Sequence, residues 1–247
     1  MGLELDTAVY TWETTPRSTD VDATRQISLS AILKLQQEIG DMHTREIGLS
    51  YERLYEESGV IFILTRLNCK IYRRPRMGEK IKITTWCRGI KGIQFYRCYR
   101  FETPDGELLI DNVGMVAVVD SKEHKLVRPQ SVPLFKLFVY TDELVSTCDT
   151  PRKLFLGECW EREYKRPIFY SDTDYNGHLN NTIYAEFISD YIPGGMSDKE
   201  IKGFSISFQA EAFPGESVTI NVRGEENTAF YSGKHKRGAC FEAVCYF

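Results

Sequence analysis

The second half of this chain repeats the pattern of its first half. In each half, a segment with apolar residues at helical spacing precedes several segments in which apolar and polar residues alternate as they do in strands. A Gly-Glu turn, Gly78-Glu79 and Gly215-Glu216, lies at the same point of both halves, after a long strand and before an alternating one. This repetition predicts an α+β fold of two tandem modules, each an antiparallel β-sheet wrapped around one central helix.

The same patterns predict the individual elements. In the first half we predict a strand at 8–14, a helix from residue 29, a short helix over 50–57, and strands over 60–72, 80–90, 93–103 and 107–119. In the second half we predict a strand at 161–169, a helix at 179–191, and strands over 201–213, 217–223, 229–234 and 239–247. Between the halves the periodicity fades around Pro129 and Pro133, with a short helix near Leu134. We therefore divide the chain into a first module at 1–125, a linker at 126–155 and a second module at 156–247.

The composition is that of an ordinary globular protein, with 42% hydrophobic and 27% charged residues. No apolar run approaches the roughly 20 residues that a membrane helix needs, and the first six residues show no secretory signal. The seven cysteines are scattered, without a Cys-x-x-Cys pair, as in proteins whose thiols stay reduced. We therefore predict a cytoplasmic protein that does not bind membranes. The four histidines show no ligand spacing, so we predict no metal site and no cofactor.

The most polar stretch of the chain, residues 171–181, lies directly before the predicted helix of the second half. It combines two carboxylates, three carboxamides and one imidazole: Asp172, Asp174, Asn176, His178, Asn180 and Asn181. Either of the last two is a natural N-cap, because an Asn side chain accepts hydrogen bonds from free backbone N–H groups. The cluster would then lie at the positive end of a buried helix, where free N–H groups favour developing negative charge. This placement suits catalysis.

Two other interpretations of this stretch compete with a catalytic site. The spacing Asp172-x-Asp174-x-Asn176-Gly177 matches the start of an EF-hand calcium loop, but that loop requires a Glu at the position of Ile183. A plain hydrophilic turn explains the capping residues, since Asn-Gly pairs and Asp or Asn caps are common in turns. It explains His178 and Asp174 poorly, and it stays open as the alternative.

Positive charge is concentrated between residues 66 and 100, although the whole chain has a net charge of −4. Eleven Lys and Arg residues in this segment are opposed by Glu79 alone. One sign of charge in one region creates a field that steers a partner of the opposite charge. No nucleic-acid-binding motif accompanies it. We therefore predict an acidic protein or a phosphate-bearing ligand as the partner, and no nucleic acid.

These features together resemble the acyl-acyl-carrier-protein thioesterases, which are built from two fused hotdog domains. The resemblance covers nearly the whole chain. It rests on Asp172-x-Asp174-x-Asn176-x-His178-x-Asn180-Asn181-x-x-Tyr184, on Leu35-Gln-Gln37 with His43, on Trp86 before an Arg-rich and aromatic strand, and on the segment 208–218. Plant members carry an N-terminal transit extension, whereas this chain starts close to its first predicted strand and so is similar to a bacterial member.

The resemblance implies a thioesterase of fatty acid biosynthesis that hydrolyses fatty acyl-acyl-carrier-protein to free fatty acid and carrier protein. It assigns the general base to Glu211, with Asn176 and His178 orienting the attacking water or donating to the oxyanion. Asp174 would hold one of these two side chains in position. Plant members have a cysteine directly after the catalytic Glu. Here that residue is Ala212, which excludes a cysteine nucleophile at this point and favours direct attack by water.

The implied partner is the acidic acyl carrier protein, which presents the acyl chain on a phosphopantetheine arm. The expected docking surface consists of Arg73, Arg74, Arg76, Lys80, Arg88 and Lys91. The acyl chain would occupy an apolar tunnel in the first hotdog domain, and a homodimer is compatible with this arrangement. Asp172, Asn180 and Asn181 are expected to be caps, and His43 a hydrogen-bonded helix histidine. Two alternatives are an acyl-CoA thioesterase of the hotdog fold and a hotdog protein that binds acyl thioesters without cleaving them.

Overall fold

One large antiparallel β-sheet carries the helices that position the polar loop. The computed structural model describes residues 7–247, and its principal helices are α1 (Leu29–Glu46), α2 (Tyr51–Ser58) and α3 (Asn181–Asp190). The strands of the first half are β1 (Val9–Thr14), β2 (Val60–Ile71), β3 (Ile81–Cys87), β4 (Gln94–Glu102), β5 (Leu108–Asp120) and β6 (Leu126–Val127). Those of the second half are β7 (Arg162–Pro167), β8 (Gly203–Phe208), β9 (Ser217–Glu225), β10 (Thr228–His235) and β11 (Gly238–Tyr246).

The two halves join edge to edge. Within the described residues the strand order is β1-β3-β4-β5-β2-β8-β11-β10-β9-β7, with β6 paired to β5. The junction is the antiparallel pair of β2 and β8, which runs from Arg66 opposite Ser207 to Lys70 opposite Gly203. A Cβ atom on Gly203 would lie 2.4 Å from the carbonyl oxygen of Cys69, so only glycine allows this close approach. The predicted tandem modules therefore share one continuous sheet.

The two long helices pack against each other and against the sheet. α1 begins after Ser28, whose hydroxyl accepts from the N–H of Ala31 at 3.1 Å. α3 begins after Asn180, whose side chain accepts from the N–H of Thr182 at 2.9 Å. Buried side chains of both helices and of both halves of the sheet belong to one apolar cluster. Burial of this apolar surface is the main force that holds the two modules together.

The segment 126–155 packs against the first module. The short helix predicted in this segment is confirmed as a 3-10 turn at Pro133–Leu137. Farther along, the buried carboxylate of Asp111 accepts from the hydroxyl of Ser146 at 2.8 Å and from the backbone N–H of Thr147 at 2.6 Å. We therefore propose that the segment is a rigid connection between the modules.

The strand predicted at 201–213 is too long, because β8 ends before Gln209. The N–H groups of Gln209 and Ala210 both donate to the carbonyl of Cys240, at 2.8 and 3.3 Å, and this bulge-like pairing turns the chain out of the ladder. Glu211 therefore lies in a loop. The other predicted strands and helices are present, with ends shifted by at most three residues. No helix of the described residues is long and apolar enough to cross a membrane, and all seven cysteines are free thiols.

Candidate active site

The carboxylate of Asp174 shapes the tip of the polar loop before α3. Oδ1 of Asp174 accepts from the backbone N–H groups of Asn176 at 2.9 Å and His178 at 3.4 Å, as in an Asx turn. The N–H of Asp174 in turn donates to the carbonyl of His178 at 2.9 Å. Gly177 completes the loop with φ at 76°, a left-handed conformation that favours glycine. Asp174 thus fixes the backbone of Asn176 and His178, where we expected it to hold a side chain.

The other carboxylate of the loop, Asp172, anchors its base. It is buried, and it accepts from both terminal nitrogens of Arg166 at 3.0 Å and from the N–H of Phe169 at 2.9 Å. Its carbonyl accepts from the N–H of Asn180 at 2.9 Å. Every oxygen of Asp172 is therefore engaged in holding the loop, which agrees with its predicted structural role.

Glu211 lies in a second loop, between β8 and β9. Its carbonyl oxygen accepts from Nη2 of Arg237 at 2.6 Å and lies 3.0 Å from Nε2 of His235. Arg237 also forms a two-point ion pair with Glu216, which accepts from the N–H of Phe213 at 3.0 Å. The hydrogen bonds from Arg237 lower the pKa of Glu216 to about 2, so this ion pair stays charged. The loop that carries Glu211 is therefore fixed from both sides.

The two loops meet at the start of α3. The N–H of Leu179 donates to the carbonyl of Ala212 at 2.8 Å. This bond brings Nδ1 of His178 to 3.4 Å from Oε1 of Glu211. The His178 ring also packs edge-on against Phe213, with ring centroids 5.1 Å apart. The imidazole and the carboxylate that the sequence assigned to one reaction therefore lie side by side.

The side chain of Asn176 is oriented by a residue of the first module that sequence reasoning missed. The hydroxyl of Tyr51, in the first turn of α2, donates to Oδ1 of Asn176 at 2.8 Å. Tyr175 packs edge-on against the Tyr51 ring, with centroids 4.9 Å apart. Because Oδ1 is the acceptor in this bond, the Nδ2 amide is left to act as the donor of this side chain.

A second imidazole at Glu211 was also missed. Nδ1 of His124, in the turn after β5, lies 3.3 Å from the same oxygen, Oε1, that His178 approaches. Its φ of 54° is rare for a residue with a side chain. The turn is held by Asp120, which accepts from the N–H groups of Lys122, Glu123 and His124 at 2.9, 2.7 and 3.0 Å. No sequence motif marks His124, because its contact with Glu211 depends on the pairing of the two modules.

His124, His178, Asn176 and Glu211 line one cavity of about 410 Å³. Its polar wall contains the four predicted catalytic residues, Asp174, Asn176, His178 and Glu211, together with His124. The rest of the wall is largely apolar and includes Ile61, Phe62, Ile63, Leu64, Val119, Leu179, Tyr184 and Phe208. The cavity therefore combines a carboxylate, hydrogen-bond donors and apolar surface.

A second cavity of about 210 Å³ adjoins the first. The residues that line both are Phe62, Leu64, Asp174, Asn176 and Asn181. From there the second cavity runs between α1 and the strands β4 and β5 of the first module. An elongated ligand whose reactive end lies at Glu211 would extend in this direction.

The start of α3 offers fewer free donors than we predicted. The N–H of Thr182 is capped by the side chain of Asn180, and the N–H of Ile183 donates to the Asn180 carbonyl at 2.9 Å. The free hydrogen-bond donors that face this cavity are therefore sought among side chains, of which the Nδ2 amide of Asn176 is one. Asn181 is the first residue of α3, and its position in the wall of both cavities goes beyond the capping role that we predicted.

His43 lies outside this site, as predicted. It is buried in α1, with Nε2 2.8 Å from the carbonyl of Thr7 and Nδ1 3.3 Å from Nη1 of Arg97. Burial, aided by the charge of Arg97, lowers the pKa of His43 to about 4. The imidazole is therefore neutral at physiological pH and serves the structure of the first module.

Two of the six basic residues predicted for docking are engaged in internal ion pairs. The side chain of Arg74 is only 5% exposed and lies 2.5 Å from Oδ2 of Asp22. A buried guanidinium cannot meet a partner protein, so Arg74 does not belong to a docking surface. Arg73 remains accessible but is bonded to both Glu79 and Glu107 at 2.7 to 3.1 Å.

The remaining basic residues lie at opposite ends of the sheet. The first residues of β2 line the larger cavity, whereas Arg76 and Lys80 follow the far end of this strand. β2 has 12 residues, so its two ends are on the order of 30 Å apart. Lys91 pairs with Gln94 of β4. Gln94 lies opposite Ala117 of β5, and Ala117 lies opposite Ile63 of β2, which lines the cavity. Lys91 and the neighbouring Arg88 are therefore at the end of the sheet where the cavity lies.

Family models match both halves of the chain. A model of the acyl-ACP thioesterase N-terminal domain, where ACP is acyl carrier protein, matches residues 7–131. A model of the acyl-ACP thioesterase C-terminal domain matches residues 160–240. The chain belongs to the acyl-ACP thioesterase family. The resemblance that the sequence motifs indicated is thereby confirmed.

Plant members of the family are distant relatives. The chain is 24% identical over 218 residues to oleoyl-acyl carrier protein thioesterase 1 of Arabidopsis thaliana, a match of 79% of this chain and 58% of that protein. It is 23% identical over 222 residues to an acyl-[acyl-carrier-protein] hydrolase of Cuphea viscosissima, a match of 79% of this chain and 50% of that protein. The chain thus spans about half the length of the curated relatives that it matches.

Solved structures of family members have the same fold. An acyl-ACP thioesterase from Bacteroides thetaiotaomicron superposes with a TM-score of 0.86 at 18% identity and covers 99% of both chains. The 12:0-ACP thioesterase from Umbellularia californica superposes with a TM-score of 0.81 at 15% identity, covering 97% of this chain and 96% of that one. The predicted fold of two tandem hotdog domains is confirmed.

The residue that follows Glu211 in this chain is not a cysteine. Ala212 occupies that position and is fully buried. No cysteine of the described residues lines the cavity. Among residues 7–247, which the structure describes, no group of His, Cys, Asp and Glu side chains is arranged to hold a metal ion. The polar groups of the cavity wall include the carboxylate of Glu211, the imidazoles of His124 and His178 and the amide of Asn176.

Proposed function

We propose that this protein is a thioesterase that hydrolyses fatty acyl-acyl-carrier-protein to free fatty acid and carrier protein. The observation that carries the proposal is the 3.4 Å approach of His178 to Glu211 beside the oriented amide of Asn176, in a cavity with apolar walls. A protein that only binds acyl groups needs the apolar walls but not a carboxylate base. We place this activity in the cytoplasm, where free thiols stay reduced.

In the proposed reaction, Glu211 accepts a proton from a water molecule while the water oxygen attacks the thioester carbonyl carbon. The carbonyl oxygen becomes an oxyanion, which accepts a hydrogen bond from Nδ2 of Asn176. The intermediate then collapses with cleavage of the carbon–sulfur bond, and the proton held by Glu211 passes to the leaving thiolate. The products are a fatty acid and the free thiol of the pantetheine arm.

The two imidazoles take positioning roles in this mechanism. His178 and His124 approach the same oxygen of Glu211, at 3.4 and 3.3 Å, so that its other oxygen can face the water. Asp174 acts indirectly, because its carboxylate accepts hydrogen bonds from the backbone N–H groups of Asn176 and His178 and so fixes the positions of both residues. Catalysis depends on such preorganisation, since donors fixed in advance need no rearrangement during the reaction.

We propose that the acyl carrier protein docks at the end of the sheet where the cavity lies. Exposed or half-exposed basic residues from three turns surround this end: Arg88, Lys91, Lys122 and Lys236. Lys122 neighbours His124, and Lys236 neighbours Arg237, which lines the cavity. A basic rim suits an acidic partner and the phosphate of its pantetheine arm, through charge-assisted hydrogen bonds. Arg73, Arg76 and Lys80 would serve a partner that also reaches the far end of β2.

The proposal is tested by measuring thiol release from a dodecanoyl acyl carrier protein and from dodecanoyl-CoA in parallel. We expect rapid release from the carrier protein, slow release from CoA, and little release from either with the variant Glu211→Gln. Faster release from CoA would make the protein an acyl-CoA thioesterase. No release from either substrate, with the acyl carrier protein still bound, would identify a non-catalytic binder and overturn the proposal.

A further inference from the structure

The second cavity has polar side chains in its wall, although it is placed to receive an acyl chain. Gln36 and Gly40, one turn apart on α1, line it together with Arg97 and Tyr99 of β4 and with the apolar side chains of Leu33 and Leu67. Tyr99 lies level with Cys69 of β2 through Asn112, whereas residues 61–65 of that strand line the first cavity. A cavity that holds only a hydrocarbon chain is expected to be lined by apolar side chains, because buried polar groups need hydrogen-bond partners.

Gln36 provides the clearest sign of an absent partner. Its residue is only 4% exposed. Among the residues that the structure describes, no acceptor lies within hydrogen-bond distance of its Nε2 amide. Buried side-chain donors in native proteins are nearly always satisfied, and an exception calls for an explanation such as a ligand. The amide of Gln36, which solvent does not reach in this structure, is therefore an unused donor on a residue that lines the cavity.

Arg97 and Tyr99 add further donors to the wall of the same cavity. Arg97 is buried and donates through Nη1 towards His43 at 3.3 Å and Thr85 at 3.4 Å, both uncharged partners. The carboxylate of Asp41, which also lines this cavity, interacts electrostatically with Arg97 but is not hydrogen-bonded to it in these contacts. The hydroxyl of Tyr99 lies 3.1 Å from the point where a Cβ atom on Gly40 would stand. Glycine at this position leaves the hydroxyl open towards α1.

We propose that this cavity receives an acyl chain that carries an oxygen substituent, a hydroxyl or an oxo group, which accepts hydrogen bonds from Gln36 and its neighbours Arg97 and Tyr99. The inference rests on the proposed thioesterase function and names the class of acyl group that the enzyme selects. A plain methylene chain would press against these donors and leave them unsatisfied. A site built to bind an oxygen atom discriminates strongly against the analogue that lacks it.

The test compares hydrolysis of carrier proteins loaded with decanoyl, hydroxydecanoyl and oxodecanoyl groups, with the oxygen placed at successive carbons along the chain. For at least one position we expect a kcat/KM about tenfold above that of plain decanoyl, the effect of one good hydrogen bond. A preference for the oxo series indicates pure acceptor recognition, and a preference for the hydroxy series indicates that the ligand also donates. Both support the proposal, whereas equal or better turnover of plain decanoyl at every position overturns it.

Variants of Gln36 test whether this residue causes the preference for oxygen-substituted acyl chains. Gln36→Leu should reverse the preference, because it removes the donor and adds apolar surface, and Gln36→Met serves if the first variant is poorly folded. Gln130→Leu, at an exposed glutamine of the segment 126–155, is the matched control and should leave the preference unchanged. An unchanged ratio in both Gln36 variants would contradict the assignment.

Binding separates this inference from the proposed function. Calorimetry with free hydroxydecanoic and decanoic acids requires no hydrolysis. If no thioester is cleaved but a hydroxy acid binds about tenfold tighter than decanoic acid, and Gln36→Leu abolishes the difference, the thioesterase function fails and the recognition stands. If thioesters are cleaved with no preference for oxygen in either assay, the function stands and the recognition fails.

Discussion

The hydroxyl of Tyr51 donates a 2.8 Å hydrogen bond to Oδ1 of Asn176, a residue 125 positions away in the sequence. This bond fixes the orientation of the amide and directs its Nδ2 donor to the oxyanion of the proposed reaction. We expect Tyr51→Phe to lower kcat about tenfold with little change in KM, because the amide loses its orientation while acyl binding is unaffected. Steady-state kinetics on acyl carrier protein substrates measures both parameters. Tyr55→Phe, one turn along α2, is the control, and a wild-type kcat for Tyr51→Phe would contradict the role.

The proposed catalytic residues should be essential for turnover but not for folding. We expect Glu211→Gln and Asn176→Ala each to lower kcat by roughly 10²–10³, since each removes one preorganised group. Glu211 and Asn176 lie in partly exposed loops, so the near-ultraviolet circular dichroism and the Tm of both variants should match the wild type. Glu226→Gln, in an exposed turn, is the control. Normal turnover by Glu211→Gln would exclude Glu211 as the base.

We expect His124 to lower the stability of the protein while it supports the activity. Its left-handed backbone conformation is unfavourable for any residue with a side chain and costs about 1–3 kcal/mol when the surroundings enforce it. We expect His124→Gly to unfold at a Tm equal to or above that of the wild type, yet to have a severalfold lower kcat. Activity lost together with a lower Tm would indicate a merely structural role. Unchanged activity would remove His124 from the site.

Burial of His43 should make the protein less stable in acid. Its pKa is lowered to about 4 by burial and by the charge of Arg97, whereas in the unfolded chain it lies near 6.5. The stabilisation is therefore complete above pH 6.5 and is lost as the pH falls towards 4, by roughly 3 kcal/mol. Urea unfolding of the wild type and His43→Gln at pH 7.5 and pH 4.5 isolates this contribution. The wild type should lose more free energy of unfolding between the two pH values, and an equal loss would contradict the prediction.

Charge reversal should distinguish the two ends of the sheet. The double variant Lys122→Glu and Lys236→Glu should raise KM for acyl carrier protein at least tenfold, an effect that weakens at high salt, and leave KM for acyl pantetheine unchanged. The matched control is Arg76→Glu with Lys80→Glu, at the far end of β2. If the control pair has the larger effect, the partner docks at the far end of β2, where Arg76 and Lys80 lie.

The sequence predicted the fold and most of the candidate site because both depend on patterns of residues that are close together in the sequence. Apolar periodicity and the repeated Gly-Glu turn indicated two helix-and-sheet modules, and the spacing from Asp172 to Tyr184 indicated the polar loop. The assignment of Glu211 came from resemblance alone. Its surroundings were predicted less well, since the loop around it is shaped by Arg237 and by the carbonyl of Cys240, which come from the later hairpin of β10 and β11.

The sequence by itself determined the modules, their helices and the chemical groups of the polar loop, because the period of a helix or strand and the capping of its ends are local properties. Only the tertiary structure decided that β2 pairs with β8, and with it that Tyr51 and His124 of the first module reach Asn176 and Glu211 of the second. Contacts of this kind depend on the register between strands that are distant in the sequence. The residues next to either partner therefore do not indicate which residue it will contact. The burial of Arg74 and the unsatisfied amide of Gln36 were decided in the same way, by what lies across the core from them.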